Sequence, residues 1–269
     1  MLLDASKLTL PKVSPDGLIA LDIISSDDPD VKALENCILR DPLLASTIIK
    51  YANSPLYRRQ DKISNVSTAI RLLGLKNIRS AVVKATLSSM AENPSPTNQI
   101  AWQHGTDIAL LCRLIAQLIK PEIADDMEFI GLIHDMGLLL LINNFQDIYE
   151  NIIADSVSDG SAINTLEKER LDVQHDIIAM SFLDQFRLPE NYTTLLCNYH
   201  SHDRIENLDT VEDFYTAILD LAHHIWQSVM PHEDHFQETI VQQMTELQEL
   251  LDFPEDNIQE IIVYLESIT

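Results

Sequence analysis

Glycine is scarce in this chain, with six among 269 residues. A sequence so poor in the residue that most weakens helices, and rich in Leu, Ile and Ala, is expected to be mostly helical. Cysteine is scarce too. Cys37, Cys112 and Cys197 lie far apart, which excludes a disulfide framework or a CxxC site and points to a reducing cytoplasm. Nothing in the pattern assigns any of the three a nucleophilic role. No apolar run approaches the roughly 20 residues of a membrane span, and the N-terminus lacks a basic region followed by an apolar one. A cytoplasmic protein without a membrane partner is the expectation. Positive charge is the scarcest commodity: 18 Lys and Arg face 42 Asp and Glu, a net charge of −24. Through Lys84 the balance is twelve against nine; beyond it the balance is six against 33, or −27. An acidic surface of this kind repels phosphate backbones, so direct nucleic-acid binding is not expected. Also missing are a Gly-rich phosphate loop, a Gly-x-Ser-x-Gly elbow and a His-Glu-x-x-His pair.

What is present reads as helix after helix. The hydrophobic fraction of 46% suits a globular protein with a sizeable core. Asp41-Pro42 is a helix start, with an N-cap acceptor followed by proline at the first helical position. Leu43, Leu44, Ile48, Ile49 and Ala52 continue that helix, and Asn53-Ser54-Pro55 stops it. A second helix over Ser67–Leu73 is expected to end at Gly74, and a third to run from Asn77 to Met90. Residues 92–98, with two prolines among small polar residues, read as a linker. Beyond it the pattern predicts helices over 100–119, 127–141, 145–155, 161–170, 174–187, 190–200, 210–229, 236–251 and 255–267. No alternating run suggests a sheet, so the fold class is all-α.

The chemistry-bearing stretch is Gly131-Leu132-Ile133-His134-Asp135-Met136-Gly137. An imidazole and a carboxylate side by side are two good ligands for a borderline divalent metal, needing one or two more from other helices. The flanking glycines predict a bend or a close helix approach there. His104, His175, His200, His202 and the His223-His224 pair could supply the rest. His232 and His235 sit on an acidic segment and read as surface residues. A lone histidine on an apolar helix face is more often a hydrogen-bonded core residue, and clustering in sequence does not by itself establish clustering in space. Tyr51 to Lys62, with Tyr57, Arg58 and Arg59, mixes basic and aromatic residues and reads as a solvated loop ahead of an anion or partner contact.

Leu39-Arg40-Asp41-Pro42-Leu43-Leu44-Ala45, followed by Tyr51-Ala52-Asn53-Ser54-Pro55-Leu56-Tyr57, resembles the first helices of the HDOD family. Ser67-Thr68-Ala69-Ile70-Arg71-Leu72-Leu73-Gly74 is similar to that family's next helix. Trp102-x-His104, the Gly131–Gly137 block, His175, Leu188-Pro189-Glu190 and Tyr199-His200 follow in family order. The resemblance covers about residues 8 to 225. It implies an HD-domain-like helical bundle, with an N-terminal helical lobe (8–91) packed on an HD-like lobe (99–225) and an acidic helical extension over 226–269. It also implies a bacterial signalling context. From the HD phosphohydrolases it suggests a metal set of His104, His134 and Asp135, with His175, His200 and His223 as further candidates, for a divalent ion such as Fe, Mn, Ni or Zn.

Departures from the catalytic relatives bear on function. His223 follows Ala222 where a late Asp is expected, and Leu138 stands where the cyclic-dinucleotide phosphodiesterases carry lysine. The Gly-Tyr-Pro motif of those enzymes is absent. Two readings stand at this point. One is a non-catalytic regulatory module that contacts unidentified signalling proteins, with no residue assigned a catalytic role. The other is a metal-dependent phosphohydrolase acting on a nucleotide or cyclic dinucleotide.

Overall fold

The computed structural model describes residues 8–9, 11–54, 57, 62–91, 95–159, 163–183, 186, 188, 190–199, 205–229 and 234–268. Among the described residues there is no strand, in keeping with the all-α expectation. The helices in chain order are α1 (Pro15–Ile24), α2 (Val31–Arg40), α3 (Pro42–Ala52), α4 (Val66–Ala91), α5 (Pro96–Ile119), α6 (Ala124–Ile133) and α7 (Met136–Asn144). They continue with α8 (Gln146–Asp159), α9 (Ile163–Leu171), α10 (His175–Leu183), α11 (Glu190–Asn198), α12 (Val211–Val229), α13 (Asp234–Leu251) and α14 (Glu255–Ile268). No helix is long and apolar enough to cross a membrane. His200, His202, His232, Arg58, Arg59 and Pro189 lie outside the described residues, as do the side chains of Cys197 and His235.

The helices fall into two compact units. Residues 1–99 and 137–189 form the first; residues 100–136 and 190–269 form the second.

In the first unit, α1 to α4 form a packed helical group. Asp41 starts α3 as its residue type predicts, its carboxylate accepting the Leu44 N–H at 3.0 Å. The same carboxylate accepts the hydroxyl of Ser14, which itself caps α1 by accepting the Gly17 N–H. Two helix starts are thereby tied together. At the other end of α3, Asn53 donates to the carbonyls of Ile49 and Ile63 and accepts the Ile63 N–H, which satisfies an open helix end. The expected stop at Gly74 is a break inside α4, where that glycine takes φ +73 and the helix resumes directly after it.

The first unit also holds a buried polar knot. Glu167 on α9 is fully buried, and its carboxylate accepts from the backbone N–H and Nδ1 of His175 at 2.9 Å each, and from the Tyr149 hydroxyl. Those are the bonds a desolvated carboxylate needs. Gly137 on α7 lies against the His175 carbonyl so closely that a Cβ there would stand 1.7 Å from its oxygen.

In the second unit, α12 packs against α13, with α14, α6 and α11 also against it. The predicted helix over 127–141 is two helices, α6 and α7, separated by a turn at His134-Asp135. Gly131 explains the approach of α6 to α5, since a Cβ there would lie 2.8 Å from the Ala109 Cα. Helix α5 starts at Pro96, four residues earlier than the sequence pattern predicts and inside the expected linker. Its proline falls in the first turn, where the missing N–H costs nothing.

Candidate metal centre

Three elements of the second unit bring their chemistry to one place. His104 comes from the middle of α5, His134 and Asp135 from the turn after α6, and His223 from α12. One ligand atom from each of the four lies within 4.8 Å of every other. The Nε2 atoms of His134 and His223 are 3.1 Å apart. Asp135 Oδ2 lies 3.1 Å from His134 Nε2 and 3.4 Å from His104 Nε2. Helical geometry sets this up: His223 projects from α12 one turn after Leu219 and three residues before Trp226, on the face turned to α5 and α6.

The hydrogen bonds on the far side of two rings decide what the near side can do. His134 Nδ1 donates to the Gly131 carbonyl at 2.8 Å. His223 Nδ1 lies 3.0 Å from the Leu219 carbonyl and 2.8 Å from the Tyr199 hydroxyl oxygen. A carbonyl only accepts, so both Nδ1 atoms carry the proton and both Nε2 atoms present lone pairs to the cluster. Burial pushes the imidazoles of His134 and His223 away from the protonated form. It is the leading cause for both, and for His223 the neighbouring His134 and His104 push further in that direction. Among the described residues, two imidazole lone pairs thus face each other across 3.1 Å beside a carboxylate oxygen. A divalent cation supplies what they lack, and three imidazoles with one carboxylate are a donor set suited to a borderline metal.

The outer ring is equally built. The Tyr199 hydroxyl donates to Asp220 at 3.0 Å, linking a carboxylate through the phenol to His223. Burial, followed by the charge of Asp220, raises the Tyr199 hydroxyl well above its ordinary value, so it stays protonated. Trp226 sets its ring edge-on to His104 with centroids 4.5 Å apart, and its Nε1 donates to Asp107. Gln103 donates to the other oxygen of Asp107 at 2.7 Å. His104 Nδ1 is buried without a hydrogen-bond partner among the described residues.

The sequence-derived candidates thus divide. His104, His134, Asp135 and His223 converge. His175 lies in the first unit, with its Nδ1 on Glu167. Its environment is the buried hydrogen-bonded one that an isolated core histidine usually has. His200 lies outside the described residues. Sequence reasoning missed Tyr199, Trp226, Asp220 and Asp107 as supporting residues. The helical offsets could have flagged three of them, since Asp107 follows His104 by one turn while Asp220 and Trp226 flank His223 by one turn each.

The family model for the HDOD domain matches residues 10–202. No curated protein matches the chain. Solved structures of similar fold include an HDOD domain protein of unknown function from Geobacter sulfurreducens. It has a TM-score of 0.69 and 18% identity, over 98% of this chain and 95% of that one. A Shewanella amazonensis protein, named a phosphohydrolase by inference, aligns with a TM-score of 0.68 and 18% identity over 96% of this chain and 91% of that one. A Marinobacter aquaeolei protein, named for signal transduction by inference, gives 0.64 and 16% over 96% of this chain and 60% of that one. At these identities the likeness concerns the fold.

Proposed function

The chain belongs to the HDOD family, and from that premise we propose that it is a regulatory module acting through protein contact, with a divalent cation at the His104, His134, Asp135 and His223 cluster. An ion held there would join α5, the turn after α6 and α12 through their side chains. His104, His223 and His134 would supply nitrogen donors, and Asp135 the negative charge.

The observation that carries the non-catalytic reading is the poverty of cations around those donors. The second unit contains three Lys and Arg in its whole sequence against 23 Asp and Glu. Arg113 is committed to Asp125 and Glu128, and the Lys120 ammonium lies over the Phe214 ring. Phosphodiester hydrolysis builds negative charge in its transition state, and enzymes meet it with several positive groups aimed at the phosphoryl oxygens. A metal at this cluster would stand in an anionic field that repels such substrates. Regulation by contact tolerates that field and uses it to steer partners.

Metal analysis of protein purified without a histidine tag is expected to give about one divalent ion per chain. The same protein is expected to leave cyclic dinucleotides, nucleoside monophosphates and generic phosphodiesters intact with manganese, iron or nickel present. Turnover that disappears in both His134→Ala and Asp135→Ala, with the helical circular dichroism spectrum kept, would establish the phosphohydrolase reading instead.

A further inference from the structure

A second concavity of the second unit meets the metal centre only at Asp220, on its outer ring. It is a groove of about 800 Å³ between α12 and α13, lined among the described residues by Ile205, Glu206, Asp220, His224, Glu246, Glu249, Leu247, Leu250 and Gln243. That volume lies within the range of about 300–1,000 Å³ typical of ligand sites. Its composition is two-fold. Leu247, Leu250 and Ile205 give it apolar surface, while Glu206, Asp220, Glu246 and Glu249 give it four carboxylates. The spacing on α13, with Gln243, Glu246, Leu247 and Leu250 one turn apart, turns one continuous face of that helix into the groove.

We infer that this groove docks a basic, amphipathic segment of a partner protein. Two observations select that occupant. The described lining carries four carboxylates and no lysine or arginine, and the unit as a whole has three Lys and Arg against 23 Asp and Glu. The apolar lining calls for side chains that a bare polycation lacks: lysines or arginines reach the carboxylates while leucine-like residues cover Leu247, Leu250 and Ile205. An anionic ligand such as a nucleotide or a phosphopeptide is disfavoured by every charged residue in the lining. The inference rests on the regulatory reading above, since it names the chemistry of the partner that reading requires.

The test uses the full chain and a short fluorescein-labelled peptide of lysine and leucine at helical spacing, followed by anisotropy at low salt. Binding is expected to weaken as salt rises. The triple variant Glu206→Gln, Glu246→Gln, Glu249→Gln should raise Kd about tenfold. A control removing the same charge from exposed residues of the same unit outside the groove, Asp209→Asn, Asp256→Asn, Glu260→Gln, should change Kd less than about twofold. Leu250→Asn, on a partly buried position, should weaken the peptide several-fold with the fold intact by circular dichroism. Equal losses in the triple and control variants would mean diffuse charge attraction and overturn the proposal. So would displacement of the peptide by an equal concentration of spermine together with indifference to Leu250→Asn, which would mark a polycation site. Substrate turnover in the hydrolysis assay would remove the regulatory reading without altering the anisotropy result, so the two failures are separable.

Discussion

The two units solve the problem of the buried histidine in opposite ways. In the first, His175 and Glu167 meet as donor and acceptor, and Tyr149 completes the carboxylate's bonding. In the second, His134 and His223 turn lone pairs toward each other, and Asp135 adds another acceptor. The wider electrostatics follow the same division: 15 Lys and Arg against 19 Asp and Glu in the first unit, but three against 23 in the second. The contrast lies in the ring nitrogens: the His175 Nδ1 is a donor matched to one carboxylate, whereas the Nε2 atoms of His134 and His223 are lone pairs turned on each other beside one.

The sharpest way to break the comparison is to open the knot around Glu167. Glu167→Ala leaves the His175 backbone N–H, its Nδ1 and the Tyr149 hydroxyl without their acceptor in a fully buried place. The expected cost is about 3–5 kcal/mol, read as a fall in thermal midpoint of roughly 10 °C. Metal binding at the other cluster should survive in whatever protein remains folded. A change of only a degree or two would mean that the knot is not the structural element argued here.

Acid should then sharpen the comparison. With a chelator present, His134 and His223 are held by burial below the ordinary imidazole value of about 6.5. The unfolded chain takes up protons there while the folded cluster resists them. Their contribution to stability is therefore complete above about pH 6.5 and is lost as pH falls toward the depressed values. Thermal midpoints are expected to drop between pH 7.5 and 5.5, and the double variant His134→Gln, His223→Gln should flatten that drop. An unchanged slope in the double variant would contradict the burial argument.

The smallest effect concerns the support of one donor. Tyr199→Phe removes the hydroxyl that joins His223 to Asp220 while keeping the ring. Affinity for zinc or manganese should fall about tenfold, with the thermal midpoint of the metal-free protein nearly unmoved. Calorimetric titration showing no loss of affinity would reduce that link to a packing contact.

Much of this was legible beforehand, because helix starts and stops are local. Asp41-Pro42 predicts a helix start and the structure has one; the pattern over 255–267 predicts α14 to within one residue. The His134-Asp135 turn was legible only as a bend, since nothing local distinguishes one long helix from two meeting at the ligands. The His175 partner was not legible: Glu167 is eight residues upstream on the preceding helix, and pairing between buried groups depends on packing that periodicity does not encode. Residue 223 was legible as a substitution for a carboxylate. That Asp220 stands behind it, linked through Tyr199, was not, because that link joins two helices.

Trp226 makes the cluster visible to light. The chain has two tryptophans, and the Trp226 indole lies with its ring centroid 4.5 Å from that of the His104 imidazole, its Nε1 hydrogen-bonded to Asp107. Its excited state therefore samples whatever His104 is bound to. Intrinsic emission from this indole is a built-in optical reporter of occupancy at the cluster, readable without dye, tag or substrate, and Trp102→Phe would leave it as the sole emitter.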